Sequence, residues 1–460
     1  MIRRDLEVPA HVLRALAAHH PERYPVLLDS AAEGPLGRYS VLMAEPSGAL
    51  WCDAEGRLGA EGVPGAAMAG GGGFLDALER WWLAERAGRP ADAGPLFNGW
   101  AVFLAYEMAR EIEPRLILPR AAFPWQAFAL RVPCAVVHDR VSGSTQVVAE
   151  TAAAGSLERI VDDVREAAHA ASLPGAAARI LDIEEEPPEA YLERVRRAKA
   201  YIASGDIYQA NLSRPWRARL TPASVGELYA RLCAANPAPF AALAQWRGSA
   251  ILSSSPERLV RLEGGRLETR PIAGTRARSR RPGEDEREMA ALRAHPKERA
   301  EHIMLIDLER NDLGRVCEPG TVRVDELMTV ESYAHVHHIV SNVSGLLRRE
   351  MTPIDALRAV FPGGTITGCP KFRCMQLIAE LEGEGRGPYT GALGWLGLDG
   401  NLDLNILIRT LAVGGTTLEL RAGAGIVADS DPQRELEETR AKARGLLAAL
   451  DTRLAAAVSP

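Results

Sequence analysis

An α+β chain is what the sequence predicts, on three observations. Apolar runs of strand length alternate with Gly-rich turns through the first 165 or so residues. One later stretch alternates on both sides of a Gly-Gly pair, as an antiparallel hairpin does. Segments with helical spacing, several of them opened by Pro, supply much of the remainder.

In chain order, "YPVLLDS", "RYSVLMAEP", "CAVVHDR" and "TQVVAE" read as strands, and "AAMAGGGGF" (66–74) as a flexible loop. The Ala-rich stretch ending in "EEEPPEA" reads as a linker. Tyr191, Val195, Ala198 and Ile202 recur at helical spacing, and Gly205 ends that helix. "ILSSSPERLVRLEGGRLETRPIAGT" is the hairpin. "EDEREMAALRAHPKERAEHIMLIDLERNDLGRV" is helical, interrupted at Pro296. "HVHHIVSNVSGLL", "LNILIRTLAV" and "TLELRAGAGIVA" are strands. "TPIDALRAVF" and "PKFRCMQLIAELE" are helices with Pro in the first turn, and "PQRELEETRAKARGLLAAL" is the last helix.

At 460 residues the chain exceeds one ordinary core, so two domains or one large duplicated one are expected. The pattern divides it into 1–165, a linker at 166–189, and 190–455. A formal charge of −6 argues against bulk nucleic-acid binding. The opening "MIRRDLEVPA" carries no long apolar run, so neither a secretory signal nor a membrane span is expected, and the location expected is cytoplasmic. The six cysteines form no Cys-x-x-Cys pair and are read as reduced thiols.

Glu298 and Glu301 lie three apart on one expected helix, and Glu435 and Glu438 three apart on another. Each pair shares a helix face. Four carboxylates meeting at one point need a cation, and oxygen ligands suit Mg²⁺; on spacing alone, two solvated acidic faces with Arg neighbours (Arg299, Arg434, Arg440) are the commoner explanation. Lys442 follows Glu438 by one turn, as a carboxylate binder or as an ordinary helix ion pair. By alternation Arg409 shares a strand face with Leu407 and Leu411 and needs an anionic partner, from substrate or from the protein. Gly423–Gly425 ("GAG") and "PGGTITGCPKFR" expose backbone N–H groups suited to anions, without the order of a P-loop. In "AHVHHIVS", alternation sets His335 and His337 on one face and His338 on the other. This disfavours a three-His metal site and leaves one His as acid or base, or as a core residue. Asp307 and Asp312 read as capping or ion-pair residues.

Taken together, "GDIYQANLS", "SSSPERLVR", "RPIAGTRAR", "KERAEHIMLIDLERNDLGRVC", "TITGCPKFRCMQLIAELE", "GPYTGALGW", "IRTL" and "GAGIVADSDPQRELEET" resemble the chorismate-binding enzymes. These are the large subunits of anthranilate and aminodeoxychorismate synthases, with isochorismate and salicylate synthases as relatives. The resemblance is dense over 190–450 and weaker before it. It implies two large, mainly antiparallel sheets packed as a sandwich with helices outside, and Mg²⁺-dependent chemistry on chorismate. By the same resemblance Glu301 and Glu438 bind Mg²⁺ directly, and Glu298 and Glu435 through water. Gly423, Ala424, Gly425 and Lys442 hold the ring carboxylate with the metal. Arg409 and Tyr389 hold the enolpyruvyl carboxylate. Gly274, Thr275 and Thr365 line the ring and the departing hydroxyl, and His338 is the general acid/base.

Within the family, members that add water carry Lys where this chain has Gln209, and an amide cannot act as that base. Ammonia is therefore the expected nucleophile, delivered by a separate glutamine amidotransferase subunit. "DIYQANLS", "ILSSSPER", "TITG" and "VLMAEP" resemble aminodeoxychorismate synthases more than anthranilate synthases. The expected product is then 4-amino-4-deoxychorismate, for 4-aminobenzoate and folate biosynthesis, with a downstream lyase. Ala273 departs, because several of those enzymes carry Lys there and anthranilate synthases carry Ala. Anthranilate synthase is the alternative, and a non-catalytic chorismate or amino-acid sensor is one of another class. Leu28, Asp29, Ser30, Ser40, Pro237 and Phe240 resemble the tryptophan pocket of anthranilate synthases, or else form an ordinary core strand.

Overall fold

The computed structural model describes residues 1–32, 36–88, 98–169, 179–221, 224–278, 281–294, 296–332 and 336–450. Two sheets, of 12 and 11 strands, contain the strands of the fold. Their pairs run antiparallel. The first sheet runs from Ile2–Leu6 at one edge, through Val26–Asp29, Phe240–Trp246, Ser249–Ser255, Thr410–Gly414, Thr417–Ile426 and Gln209–Leu220, to Ile180–Glu185 at the other. The second runs from Ile272–Ala277, through Val336–Leu346, Arg258–Glu263, Leu402–Ile406, Ala392–Gly397 and Gly99–Leu104, to Leu58–Glu61.

Over their central strands both faces of each sheet are covered, which is why those strands read as near-continuous apolar runs, while Ile2–Leu6, Ile180–Glu185 and Arg323–Ser332 stay largely exposed. Val41 and Met43 point at the second sheet and meet Phe103, Phe128 and Leu130. Leu42, between them, faces the helices His11–His19, Ala154–His169, Gly226–Ala235 and Pro432–Leu450. On the second sheet, Trp100, Val102 and Leu104 face outward against Phe74–Glu85, Pro296–Gly314 and Pro353–Val360. The result is the expected sandwich, layered helix, sheet, sheet, helix.

Several sequence-based expectations change. The segment 166–189 contains a strand, Ile180–Glu185, paired with Gln209–Leu220. Residues on both sides of position 165 contribute strands to both sheets. Part of "AAMAGGGGF" forms a helical turn, Gly65–Met68. The Gly264–Gly265 turn does close a hairpin, with both φ positive as a two-residue hairpin turn requires. The stretch before it, however, divides: Ser249–Ser255 lies in the first sheet and Arg258–Glu263 in the second. "LNILIRTLAV" divides likewise, into Leu402–Ile406 of the second sheet and Thr410–Gly414 of the first. All six cysteines are free thiols. Among the described residues no helix is long and apolar enough to cross a membrane.

Candidate active site

The two sheet-to-sheet crossings run side by side. Ile406 N–H donates to the Glu257 carbonyl at 3.0 Å, and Ser254 N–H to the Arg409 carbonyl at 3.0 Å. Arg409 therefore does not share a strand face with Leu407 and Leu411. It holds a left-handed φ of 53° at the crossing, a conformation costly for a residue with a Cβ.

Beside the crossings, the neighbouring strands Gln209–Leu220 and Thr417–Ile426 set Asn211 opposite Gly425 and Ser213 opposite Gly423. Gln209 Nε2 donates to Glu301 Oε1 at 2.9 Å. A Cβ on Gly425 would stand 2.4 Å from Gln209 Nε2 and 3.4 Å from Glu301 Oε1, so only Gly lets both side chains approach this strand. At Gly423 the same test meets the Tyr389 hydroxyl at 2.7 Å. Lys442 Nζ donates to the Gly423 carbonyl at 2.9 Å and pairs with Glu438 Oε1 at 2.7 Å. Ala424, between the glycines, is fully buried. Glu435 is buried one turn before Glu438.

The third wall is the Ile272–Ala277 strand. Its register with Val336–Leu346 slips between Ala273 and Thr275. Gly274 forms that bulge with φ 75°, and a Cβ there would stand 2.6 Å from Glu298 Oε2. Glu298 pairs with Arg276 at 3.0 Å. The Thr275 backbone is opposite His338; the Thr275 side chain and His335 lie outside the described residues. His338 is buried, and its imidazole bonds the Gly274 backbone. Burial, with Arg409 nearby, pulls His338 down to about 4. That favours the neutral imidazole near pH 7, which suits the base side of its expected general acid/base role. His337 faces elsewhere, bonding Ser332 Oγ and Asp285 at 2.7 and 2.8 Å.

Glu257, at the first crossing, was not singled out from sequence. It is buried, and burial pushes it up to about 7, against the opposing pull of Thr365, the Ile272 N–H and Lys442. It is thus a carboxyl group whose proton is held toward neutral pH, beside Thr365. The signal in sequence is one acidic residue after Pro256, between the serines and Arg258 of "SSSPERLV". Arg409, partly buried, is held charged by Tyr389 and Glu438 against the cost of burial, which lowers its proton affinity. Burial pushes Tyr389 up to about 12, so its phenol stays a donor.

The residues named from sequence thus converge on one locus from both sheets and two helices. Its carboxylates do not yet converge on one ion. Among the described residues, no three His, Cys, Asp or Glu side chains surround a common point at metal-ligand spacing. Glu301, Glu438 and Glu298 instead take Gln209, Lys442 and Arg276. Glu301 and the Glu438–Lys442 pair reach the Gly423–Gly425 strand, and the donor set is all oxygen, which fits Mg²⁺ in kind.

A second cavity, of about 460 Å³, is lined by Leu28, Asp29, Ser30, Tyr39, Phe240 and Trp395, among others. Ser40 stands behind its wall, donating to Asp29 Oδ1 at 2.8 Å and accepting from Ser30 N–H. Pro237 is not part of the lining, because the chain turns and presents Pro239. Asp29 also pairs with Arg14 at 2.7 Å.

Residues 73–448 match the family model described as chorismate binding enzyme. The anthranilate synthase component I-like protein of Synechocystis is 52% identical over 264 residues, 57% of this chain and 54% of that one. The aminodeoxychorismate synthase component 1 of Bacillus subtilis is 47% identical over 263 residues, 57% of each chain. The chain therefore spans little more than half the length of these two curated relatives. The crystal structure of anthranilate synthase component I from Streptococcus pneumoniae superposes with a TM-score of 0.78 at 30% identity, covering 90% of this chain and 93% of that one. The chain belongs to the chorismate-binding enzyme family and has the anthranilate synthase component I fold.

Proposed function

We propose that the chain aminates chorismate with ammonia, in a Mg²⁺-dependent reaction in the cytoplasm, the ammonia coming from a separate glutamine amidotransferase subunit. The observation that carries the choice of nucleophile is Gln209. Its amide donates to Glu301, while Oε1 is buried without a hydrogen-bond partner among the described residues. That carbonyl is an acceptor for an ammonia N–H and cannot deprotonate water.

Arg409 and Tyr389 would hold the enolpyruvyl carboxylate, and Lys442 with the Gly423–Gly425 backbone the ring carboxylate. Glu257 would give its proton to the C4 hydroxyl, which leaves as water. Neutral His338, fixed by Gly274, would accept a hydrogen bond or proton on the pyruvyl side. Glu301 and Glu438 would hold Mg²⁺ directly, and Glu298 and Glu435 through water; when bound, it supplies Lewis-acid stabilisation of developing negative charge.

The motif reading favours 4-amino-4-deoxychorismate, for a lyase to convert to 4-aminobenzoate. Ala273, buried where several such enzymes carry Lys, favours the second reading, anthranilate with release of pyruvate. One assay separates them. The protein is incubated with chorismate, Mg²⁺ and ammonium, with and without an aminodeoxychorismate lyase. 4-Aminobenzoate only with lyase is expected; anthranilate fluorescence without it establishes the second reading. Loss of turnover with EDTA and return with Mg²⁺ are expected; no consumption of chorismate in any arm overturns both readings in favour of a sensor.

A further inference from the structure

Arg386 lies outside every motif role assigned so far, yet it is 2% exposed and uses all of its hydrogen-bonding capacity. Nε and Nη2 hold Glu382 at 3.0 and 2.7 Å. Nη2 also reaches the Asn211 carbonyl at 2.6 Å. Nη1 reaches the Ile366 carbonyl at 3.2 Å and Thr390 Oγ1 at 3.3 Å. Five N–H donors thus meet five acceptors, the most a guanidinium has to give.

The acceptors belong to separate walls of the site. Asn211 is the strand partner of Gly425. Ile366 follows Thr365. Thr390 follows Tyr389, whose ring lies 5.6 Å from the guanidinium carbon. Glu382 extends the tie, since it also accepts from Ser213 N–H at 2.8 Å and from Arg421 Nη2 at 3.2 Å. Burial works against the charge on Arg386, and the Glu382 carboxylate more than offsets it.

Thr390 shows what this tie does. It is β-branched yet adopts a left-handed φ of 63°, a strained state that persists only where surroundings impose it. Its N–H donates to the Leu407 carbonyl at 2.8 Å, and Leu407 N–H returns to Gly391 at 2.8 Å. Tyr389 and the Arg409 crossing are thereby coupled through one strained turn, clamped on its other side by Arg386.

We propose that Arg386 is a positioning residue that sets the Tyr389–Arg409 pair for the substrate carboxylate. The inference rests on the reading of that pair given above. In Arg386→Lys the three ammonium donors cannot reproduce the five-bond fork, and KM for chorismate is expected to rise roughly 10-fold or more. In the same background Tyr389→Phe should cost far less than it costs the wild type, because the hydroxyl is already misplaced. Thr390→Gly, which removes one acceptor and leaves the charge cluster intact, should raise KM while the melting temperature holds; it serves if Arg386→Lys does not fold. Wild-type KM in both variants, or additive effects of Arg386→Lys and Tyr389→Phe, overturns the inference alone. A folded wild type that does not turn over chorismate, or a wild type indifferent to Tyr389→Phe, overturns the reading of the site together with it.

Discussion

Glu257 and His338 show how burial at one locus sorts acid from base. Both lose water, but burial raises a carboxylic acid and lowers an imidazole, so the two exchange the roles their ordinary values suggest. A proton donor must be protonated, so the Glu257 contribution to kcat is present below about 7 and lost as pH rises through it. Glu257→Gln is expected to lower kcat by roughly 10²–10⁴-fold and to remove that alkaline limb in a pH profile. His338→Asn should lower kcat with the limb intact. Stability moves in the same sense: the native state binds the extra proton, so stability falls as pH rises from the ordinary carboxyl value toward 7. Thermal melts of Glu257→Gln at pH 5 and pH 8 should differ less than those of the wild type. None of this was legible from spacing. Glu257 has no second acid at i+3 or i+4 to mark it, and its proton affinity comes from a tertiary crossing. The four glutamates were legible as pairs on helices, whereas their present partners, Gln209, Arg276 and Lys442, follow from how the helices dock.

Among the elements, the helices and most strands follow from periodicity and Pro or Gly punctuation. The two crossings escape it. In "ILSSSPERLV" the serines at the crossing, Ser253, Ser254 and Ser255, are buried like the apolar residues around them and read as a continuing strand, and in "NILIRTLAV" apolar residues continue on both sides of Arg409, so neither change of sheet is announced by a turn signal. At Arg409 the mark is conformational, the left-handed φ that ends one strand and starts the next. This separates stability from function at one position. Arg409→Gly relieves a strain of about 1–3 kcal/mol and removes a partly buried charge, at an entropic cost of roughly 1 kcal/mol for glycine. The variant should melt no lower than the wild type, while KM for chorismate rises at least about 10-fold through loss of a bidentate carboxylate partner. A lower melting temperature with unchanged KM would assign Arg409 a structural role instead.

At the scale of the molecule, motif density and architecture disagree in an informative way. Nearly all residues with chemical roles lie between 209 and 442, and composition marks a change near 165. The sheets ignore that change. Phe240–Trp246 pairs on one side with Val26–Asp29, and Ala392–Gly397 pairs with Gly99–Leu104. The cluster between the sheets joins Val26, Val41, Phe103 and Phe128 to Ala242, Ile251, Leu393 and Leu407. Leu407 is next to the crossing that carries Arg409, so the early strands buttress the site they do not line. A chain of residues 190–450 would keep every proposed catalytic residue, expose three strand edges, those of Gln209–Leu220, Phe240–Trp246 and Ala392–Gly397, and lose most of the inter-sheet core. Unpaired edges and an open apolar face favour aggregation over a unique fold. That fragment is therefore expected to be insoluble, or to lack near-ultraviolet circular dichroism and a cooperative melt, and to consume no chorismate. Addition of a separately produced 1–165 segment should restore soluble protein if the strands can re-pair. A monomeric, cooperatively melting 190–450 chain would mean instead that the later strands carry a complete core of their own.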